Sequence, residues 1–180
     1  MKVHYYPGCT LKEKAINLED STLAAMEILG VEMVEPENWT CCGAEFPLSE
    51  EKIAGLAAPA RILRQVEIEG GNKVVTTCAF CFNVLKRTNE ALLKDPLKNK
   101  RINAFLKDDI KIEPLTKEKT TDFEEYTGHV WVLHLIEYLK NALIRLFFRG
   151  SFSSASLVRF NTLKQKAQVV ITLLPPSIST

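Results

Sequence analysis

The chain has 180 residues, enough for one domain with an appendage and for a substantial buried core. Its hydrophobic fraction of 46% and charged fraction of 25% are those of an ordinary globular protein. A net charge of +1 gives no global reason to bind nucleic acid or an anionic surface. The start, MKVHYYPGCT, lacks the apolar core of a secretory signal, and the most apolar stretch, 142–148, is short and broken by Arg145. No membrane span is expected, and a cytoplasmic location fits best.

The first 95 residues alternate between strand and helix patterns. Val3–Tyr6 is a short β-type run ending in Pro7-Gly8. A helix is predicted from about Glu19, with Leu23, Met26 and Leu29 along one face and Gly30 as its stop. Val31–Val34 is a second strand, and Trp39-Thr40 leads into Cys41-Cys42-Gly43. Ser49 caps a further helix towards Val66, with Glu50 and Glu51 in its first turn. Pro59 falls inside it, so a kink or break is expected there. After Gly70-Gly71, Lys73–Thr77 is a third strand. Cys78 then opens a helix through about Leu93, and Asp95-Pro96 reads as a stop and restart, Asp as cap and Pro at the first helical position.

The segment 116–128 is polar and reads as a surface loop. Val130–Leu133 is a fourth strand candidate, and His134 to about Phe148 a helix with Leu135, Leu139, Leu143 and Leu146 as apolar positions. Ile136, Leu139 and Leu143 are expected to be its last well-buried positions. From Tyr138 to Thr180 there is no Asp or Glu.

Strands separated by helices imply parallel βαβ crossovers, and hence an α/β fold with a parallel sheet flanked by helices. Ligands of open α/β sheets bind outside the carboxyl ends of the strands. Cys9 follows the first strand, Cys41 and Cys42 the second, and Cys78 and Cys81 the third. All five cysteines of the chain are therefore expected at one rim.

An odd count with a C-x-x-C and a C-C-G suits a metal or iron–sulfur ligand set better than a disulfide framework. Cys78 and Cys81 lie one turn apart at a helix start, where unpaired amides favour thiolate. In an extended segment the side chains of Cys41 and Cys42 diverge, which suits ligation of different metals in one cluster. Gly43 lets the backbone turn tightly beside them. Three other readings stay open: a four-thiolate Zn²⁺ site, a thioredoxin-like pair at Cys78 and Cys81, and scattered buried thiols. Among other side chains, His4 reads as a strand residue and His134 as an orienting residue at a helix start. Trp39, Phe46 and Phe82 could shield a cluster from water, and Lys86 and Arg87 could face a partner or an anionic substrate.

Tyr6-Pro7-Gly8-Cys9-Thr10, Cys41-Cys42-Gly43 and Cys78-Ala79-Phe80-Cys81-Phe82-Asn83 resemble the CCG (cysteine-rich) domain of heterodisulfide reductase B subunits and related iron–sulfur oxidoreductases. The resemblance extends to Gly30-Val31-Glu32, Thr76-Thr77-Cys78, Leu85-Lys86-Arg87 and His134-Leu135-Ile136-Glu137-Tyr138-Leu139, and covers roughly residues 1 to 140. It implies an oxidoreductase subunit with a noncubane [4Fe–4S] cluster held by Cys9, Cys41, Cys42, Cys78 and Cys81. It further implies reductive cleavage of a disulfide such as the CoB–CoM heterodisulfide. Electrons would come from a ferredoxin-type iron–sulfur subunit and a flavin subunit of the complex. The alternative is a zinc-binding or structural CCG module that is not itself catalytic. Family members carry two CCG motifs in two similar halves, whereas this chain has one. The expected organisation is a CCG domain over 1–145 and a tail over 146–180, with two readings of the tail left open: a true variant, or a truncated or frameshifted start of a second half.

Overall fold

The computed structural model describes residues 1–44, 53–112 and 123–149. Residues 1–138 form one compact unit and 139–180 a second. Of the second, the described residues, 139–149, are helical.

The first unit is a parallel α/β layer, as the alternating pattern predicts. Its strands are β1 (Lys2–Tyr5), β2 (Glu32–Val34), β3 (Lys73–Thr76) and β4 (Trp131–His134), in the spatial order β2-β1-β3-β4. All pairings are parallel, with Val3 opposite Met33, Tyr5 opposite Val75, and Thr76 opposite His134. The crossover elements are α1 (Gly8–Glu13), α2 (Ile16–Ile28), α3 (Ile53–Ile68), α4 (Ala79–Lys94) and α5 (Pro96–Ile112), and α6 (Leu135–Arg149) follows β4. The chain leaves β1 for the edge strand β2, then crosses back over β1 to β3. The carboxyl ends of β1, β2 and β3 therefore lie side by side, with β1 between the other two.

Buried side chains of α3, α4 and α5 meet the sheet in a single core. Leu56, Leu63, Val74, Leu85 and Tyr126 are at most 1% exposed there, and each large apolar side chain so buried contributes roughly 1.5–3 kcal/mol. The helix starts follow local chemistry. Cys78 is the extended N-cap residue of α4. Asp95 ends α4 and its carboxylate accepts the Lys98 backbone N–H at 3.0 Å, capping α5 with Pro96 at its first position.

Three local expectations change. Helix α3 runs through Pro59 as one element, with Pro59 itself buried. The acceptor it leaves without its helical N–H is the Gly55 carbonyl. Ser49, Glu50 and Glu51, expected at its start, lie outside the described residues, as does Phe46. The second change is α1, one short turn of helix directly after Pro7 where no regular element was expected. The third is Ile136, which is 69% exposed, while Leu135 and Tyr138 turn inward instead.

The described end of the polar loop, 123–130, is docked rather than free. Asn103 grips the backbone of Tyr126 from both sides, donating to its carbonyl (3.1 Å) and accepting its N–H (2.8 Å). The Tyr126 hydroxyl donates to Asn89 (2.6 Å), and Arg64 lies 4.0 Å over the Phe123 ring. These contacts bury Tyr126 completely and lead the chain into β4, beside β3.

Candidate metal centre

The five cysteines come from three segments, each following the carboxyl end of a different strand. Cys9 sits in α1, just past β1; Cys41 and Cys42 lie on the loop after β2; Cys78 and Cys81 open α4 after β3. All five are free thiols. Cys42 and Cys81 are buried, Cys78 is half-buried, and Cys9 and Cys41 face solvent.

The adjacent pair divides its side chains between two neighbours. Cys41 Sγ lies 3.7 Å from Cys9 Sγ, and Cys42 Sγ lies 3.6 Å from Cys81 Sγ. Cys41 also acts on the thiol of Cys42, and Cys78 on that of Cys81, so the five form one connected series. Their arrangement is by pairs. Among the described residues, no three His, Cys, Asp or Glu side chains are already closed around a single point.

Those spacings can be compared with metal geometry. Sulfurs about 2.3 Å from a tetrahedral metal are about 3.8 Å from one another. Both close pairs match such an edge. The two pairs share no sulfur, so each can hold a different metal ion. On this ground the thiols present suit a cluster of several irons, whose ligands are thiolates.

Two glycines make the arrangement possible. At Gly8 (φ +73°) an added Cβ would stand 2.7 Å from Cys81 Sγ and 3.5 Å from the Tyr6 ring. The close approach of α1 to the start of α4 therefore requires a residue without a side chain. Gly43 (φ +81°) turns the chain sharply after Cys42, and Ala44 continues in the same left-handed region (φ 51°). The turn aims backbone amides at the cysteines. Hydrogen bonding from Cys81, and from the amide of Ala44, holds Cys42 down to about 6 against the opposing effect of burial. Cys81 is pushed up, first by its bond to Cys42 and then by burial. Cys41 is raised as well: the Gly43 amide favours its thiolate, but burial and its neighbours Cys9 and Cys42 outweigh that. The α4 amino end was expected to favour charge at Cys81. Two thiolates 3.6 Å apart in a buried site repel, so the two thiols shift in opposite directions, Cys42 down and Cys81 up.

Residues beyond the cysteines complete the rim. Tyr6 is fully buried, its hydroxyl donates to the Thr40 carbonyl (2.8 Å), and its ring meets Trp39 edge-on at 5.4 Å. Trp39 in turn donates to Glu35, which pairs with Lys12 (2.8 Å), and Lys12 also reaches the buried Glu19 (2.9 Å). His134 Nε2 donates to the Thr77 carbonyl (3.1 Å) while Nδ1 accepts the Ile136 N–H (3.3 Å). These bonds define one neutral tautomer and place the ring edge-on to Phe82 at 5.6 Å. His134 thus orients the segment before Cys78, the role its position suggests. His4 pairs with Glu69 (3.0 Å) and His129 with Thr127 (2.8 Å), away from the cysteines. Lys86 lies 4.9 Å over the Phe82 ring, and Phe80, between Cys78 and Cys81, is 75% exposed. Sequence reasoning placed Tyr6 and Gly8 in the motif around Cys9 but gave neither a role of its own. The available signal was a glycine directly before a cysteine at a strand end, which marks a close backbone approach.

Residues 3–86 match the family model of the cysteine-rich domain, CCG. The chain is 36% identical over 102 residues to the 8-methylmenaquinol:fumarate reductase membrane anchor subunit of Wolinella succinogenes, covering 57% of this chain and 35% of that protein. It is 26% identical over 105 residues to a probable glycolate oxidase iron-sulfur subunit of Bacillus subtilis, covering 58% and 24%. An uncharacterized iron-sulfur protein of Methanocaldococcus jannaschii is 29% identical over 91 residues, covering 48% and 18%. The chain thus spans about a third or less of the length of these curated relatives.

Proposed function

We propose that this chain, whose residues 3–86 match the family model of the CCG cysteine-rich domain, is an iron–sulfur redox module of a multi-subunit oxidoreductase, with Cys9, Cys41, Cys42, Cys78 and Cys81 as cluster ligands. The observation that carries this reading is the pairing of sulfurs from three strand ends at 3.7 and 3.6 Å, with the adjacent cysteines Cys41 and Cys42 each taking a different partner. Relatives described as an iron-sulfur subunit and as a membrane anchor subunit of reductase or oxidase assemblies support the setting. Among the described residues no helix is long and apolar enough to cross a membrane. Free thiols in every cysteine agree with a reducing compartment such as the cytoplasm.

In its finer form the group is a noncubane [4Fe–4S] cluster, which uses all five thiolates. When bound, it would supply electrons one at a time and an iron site for a substrate sulfur, the chemistry needed to cleave a disulfide. The chain's own residues do the rest. Gly8 admits Cys81 beside α1, and Gly43 turns the loop so that Cys41 and Cys42 face different neighbours. Burial of Tyr6, Cys42 and Cys81 excludes water from the inner half of the site, while Cys9, Cys41 and Phe80 leave the outer half open. A substrate disulfide and an electron-donating subunit, of ferredoxin or flavin type, would meet that open side.

The test is a pair of single substitutions, Cys41→Ser and Cys42→Ser, read by iron and sulfide content after anaerobic reconstitution. A five-ligand cluster loses iron in both. Metal content unchanged in both would instead identify a four-thiolate zinc site with a spare cysteine, and a structural rather than redox module.

A further inference from the structure

The three cysteine segments are joined through one side chain that carries no sulfur. Tyr6 stands three residues before Cys9 and is 0% exposed. Its backbone N–H donates to the Val75 carbonyl (2.8 Å), tying the end of β1 to β3 three residues before Cys78. Its hydroxyl donates to the Thr40 carbonyl (2.8 Å), the residue directly before Cys41. Its ring is wedged between the position a Gly8 side chain would occupy and the Trp39 ring. A single residue therefore contacts the chain next to every cysteine-bearing segment. Among the described residues, β2 is three residues long and pairs with β1, and the loop after it is also held by the Glu37 N–H on Glu69 (2.8 Å) and by Trp39 on Glu35. The hydroxyl–Thr40 bond is a polar constraint, directly beside Cys41, on where Cys41 and Cys42 present their sulfurs.

We infer that Tyr6 is a positioning residue of the cysteine site, whose hydroxyl sets the place of the Cys-Cys-Gly loop against Cys9 and Cys81. The phenol suits this post because it remains a neutral donor. Burial, then the neighbouring Cys42, Cys81, Cys41 and Cys9, all oppose its ionisation, so it adds no negative charge to a site already rich in thiolate. This inference rests on the cluster reading for its consequence in the loaded protein, though the geometry holds for the metal-free chain as well.

The experiment compares Tyr6→Phe with Tyr126→Phe in the full chain. Both remove one hydroxyl from a buried ring, and Tyr126 loses its 2.6 Å bond to Asn89, outside the cysteine site. Each variant should therefore unfold at a lower urea concentration than the parent by a similar amount. They should differ at the cysteines. After reconstitution with ferrous iron and sulfide, Tyr6→Phe should release iron to a chelator about fivefold faster, the factor associated with one neutral hydrogen bond. Tyr126→Phe should release it at the parent rate. In the metal-free chain, diamide takes two electrons and two protons from Cys42 and Cys81 as their disulfide forms. That rate should fall several-fold in Tyr6→Phe alone. Equal rates in Tyr6→Phe and parent, in both assays, would overturn the inference. A parent chain that takes up no iron would overturn the cluster reading instead, and the diamide comparison would still decide the role of Tyr6.

Discussion

Within the cysteine site, a contact sensitive to a single methyl group is the approach of Gly8 to Cys81. Gly8→Ala places a Cβ 2.7 Å from Cys81 Sγ at a backbone φ of +73°. The left-handed conformation alone costs a residue with a side chain roughly 1–2 kcal/mol. Overpacking a filled interior adds roughly 1–3 kcal/mol. Cys81 is itself buried, so its sulfur can escape only by turning away from Cys42. Gly43→Ala is the matched control. It has a similar positive φ (+81°) with nothing among the described residues within 4 Å of the added Cβ, so it should show chiefly the backbone cost. Urea unfolding of the metal-free variants, monitored by circular dichroism, should therefore place Gly8→Ala below Gly43→Ala by about 1–3 kcal/mol. Should the sulfur turn away instead, the stability gap narrows and Cys42 becomes several-fold slower to join Cys81 under diamide. Equal stability of the two variants together with an unchanged Cys42–Cys81 rate would refute the close-approach argument.

Leu63→Ala, at a side chain with 0% exposure in the α3 core, should cost about 2–5 kcal/mol in the same unfolding assay; a loss under 1 kcal/mol would mean that this core is not packed as described. Alkaline pH should act through the buried tyrosines. Burial, then Glu19, push Tyr5 up to about 12, so the folded chain keeps a proton that the unfolded chain releases from its ordinary value of 10.0. Stability is therefore unaffected below about pH 10 and falls as pH rises towards 12. Tyrosinate absorbance from Tyr5, Tyr6 and Tyr126 should appear together with loss of helical circular dichroism, whereas complete ionisation of all four tyrosines in the folded chain near pH 10 would contradict their burial.

Much of this arrangement is legible in the sequence because it depends on local chemistry. Asp95-Pro96 marks one helix end and the next start, and Cys78 follows a β-branched run directly into a helix. The alternation of runs announces parallel crossovers, which brings Cys9, Cys41, Cys42, Cys78 and Cys81 to one edge before any contact is known. Other features depend on tertiary contact and leave no local trace. The helix α1 is too short for an apolar period. Pro59 reads as a breaker until it is seen buried within a continuous helix. Ile136 has the spacing of a buried residue, yet Leu135 and Tyr138 take the inner positions. The division of the adjacent cysteines between Cys9 and Cys81 follows from the strand order, which places β1 between β2 and β3. Tyr6 looks like an ordinary strand aromatic, and only that order reveals it as the residue touching all three segments.

The proposal that five thiolates share one iron–sulfur group is tested most directly by purifying the chain without oxygen and measuring iron, zinc and acid-labile sulfide per polypeptide. The account predicts brown protein with several irons, comparable sulfide and little zinc, and a visible absorption lost on addition of acid. Colourless protein holding one zinc and no sulfide would contradict it.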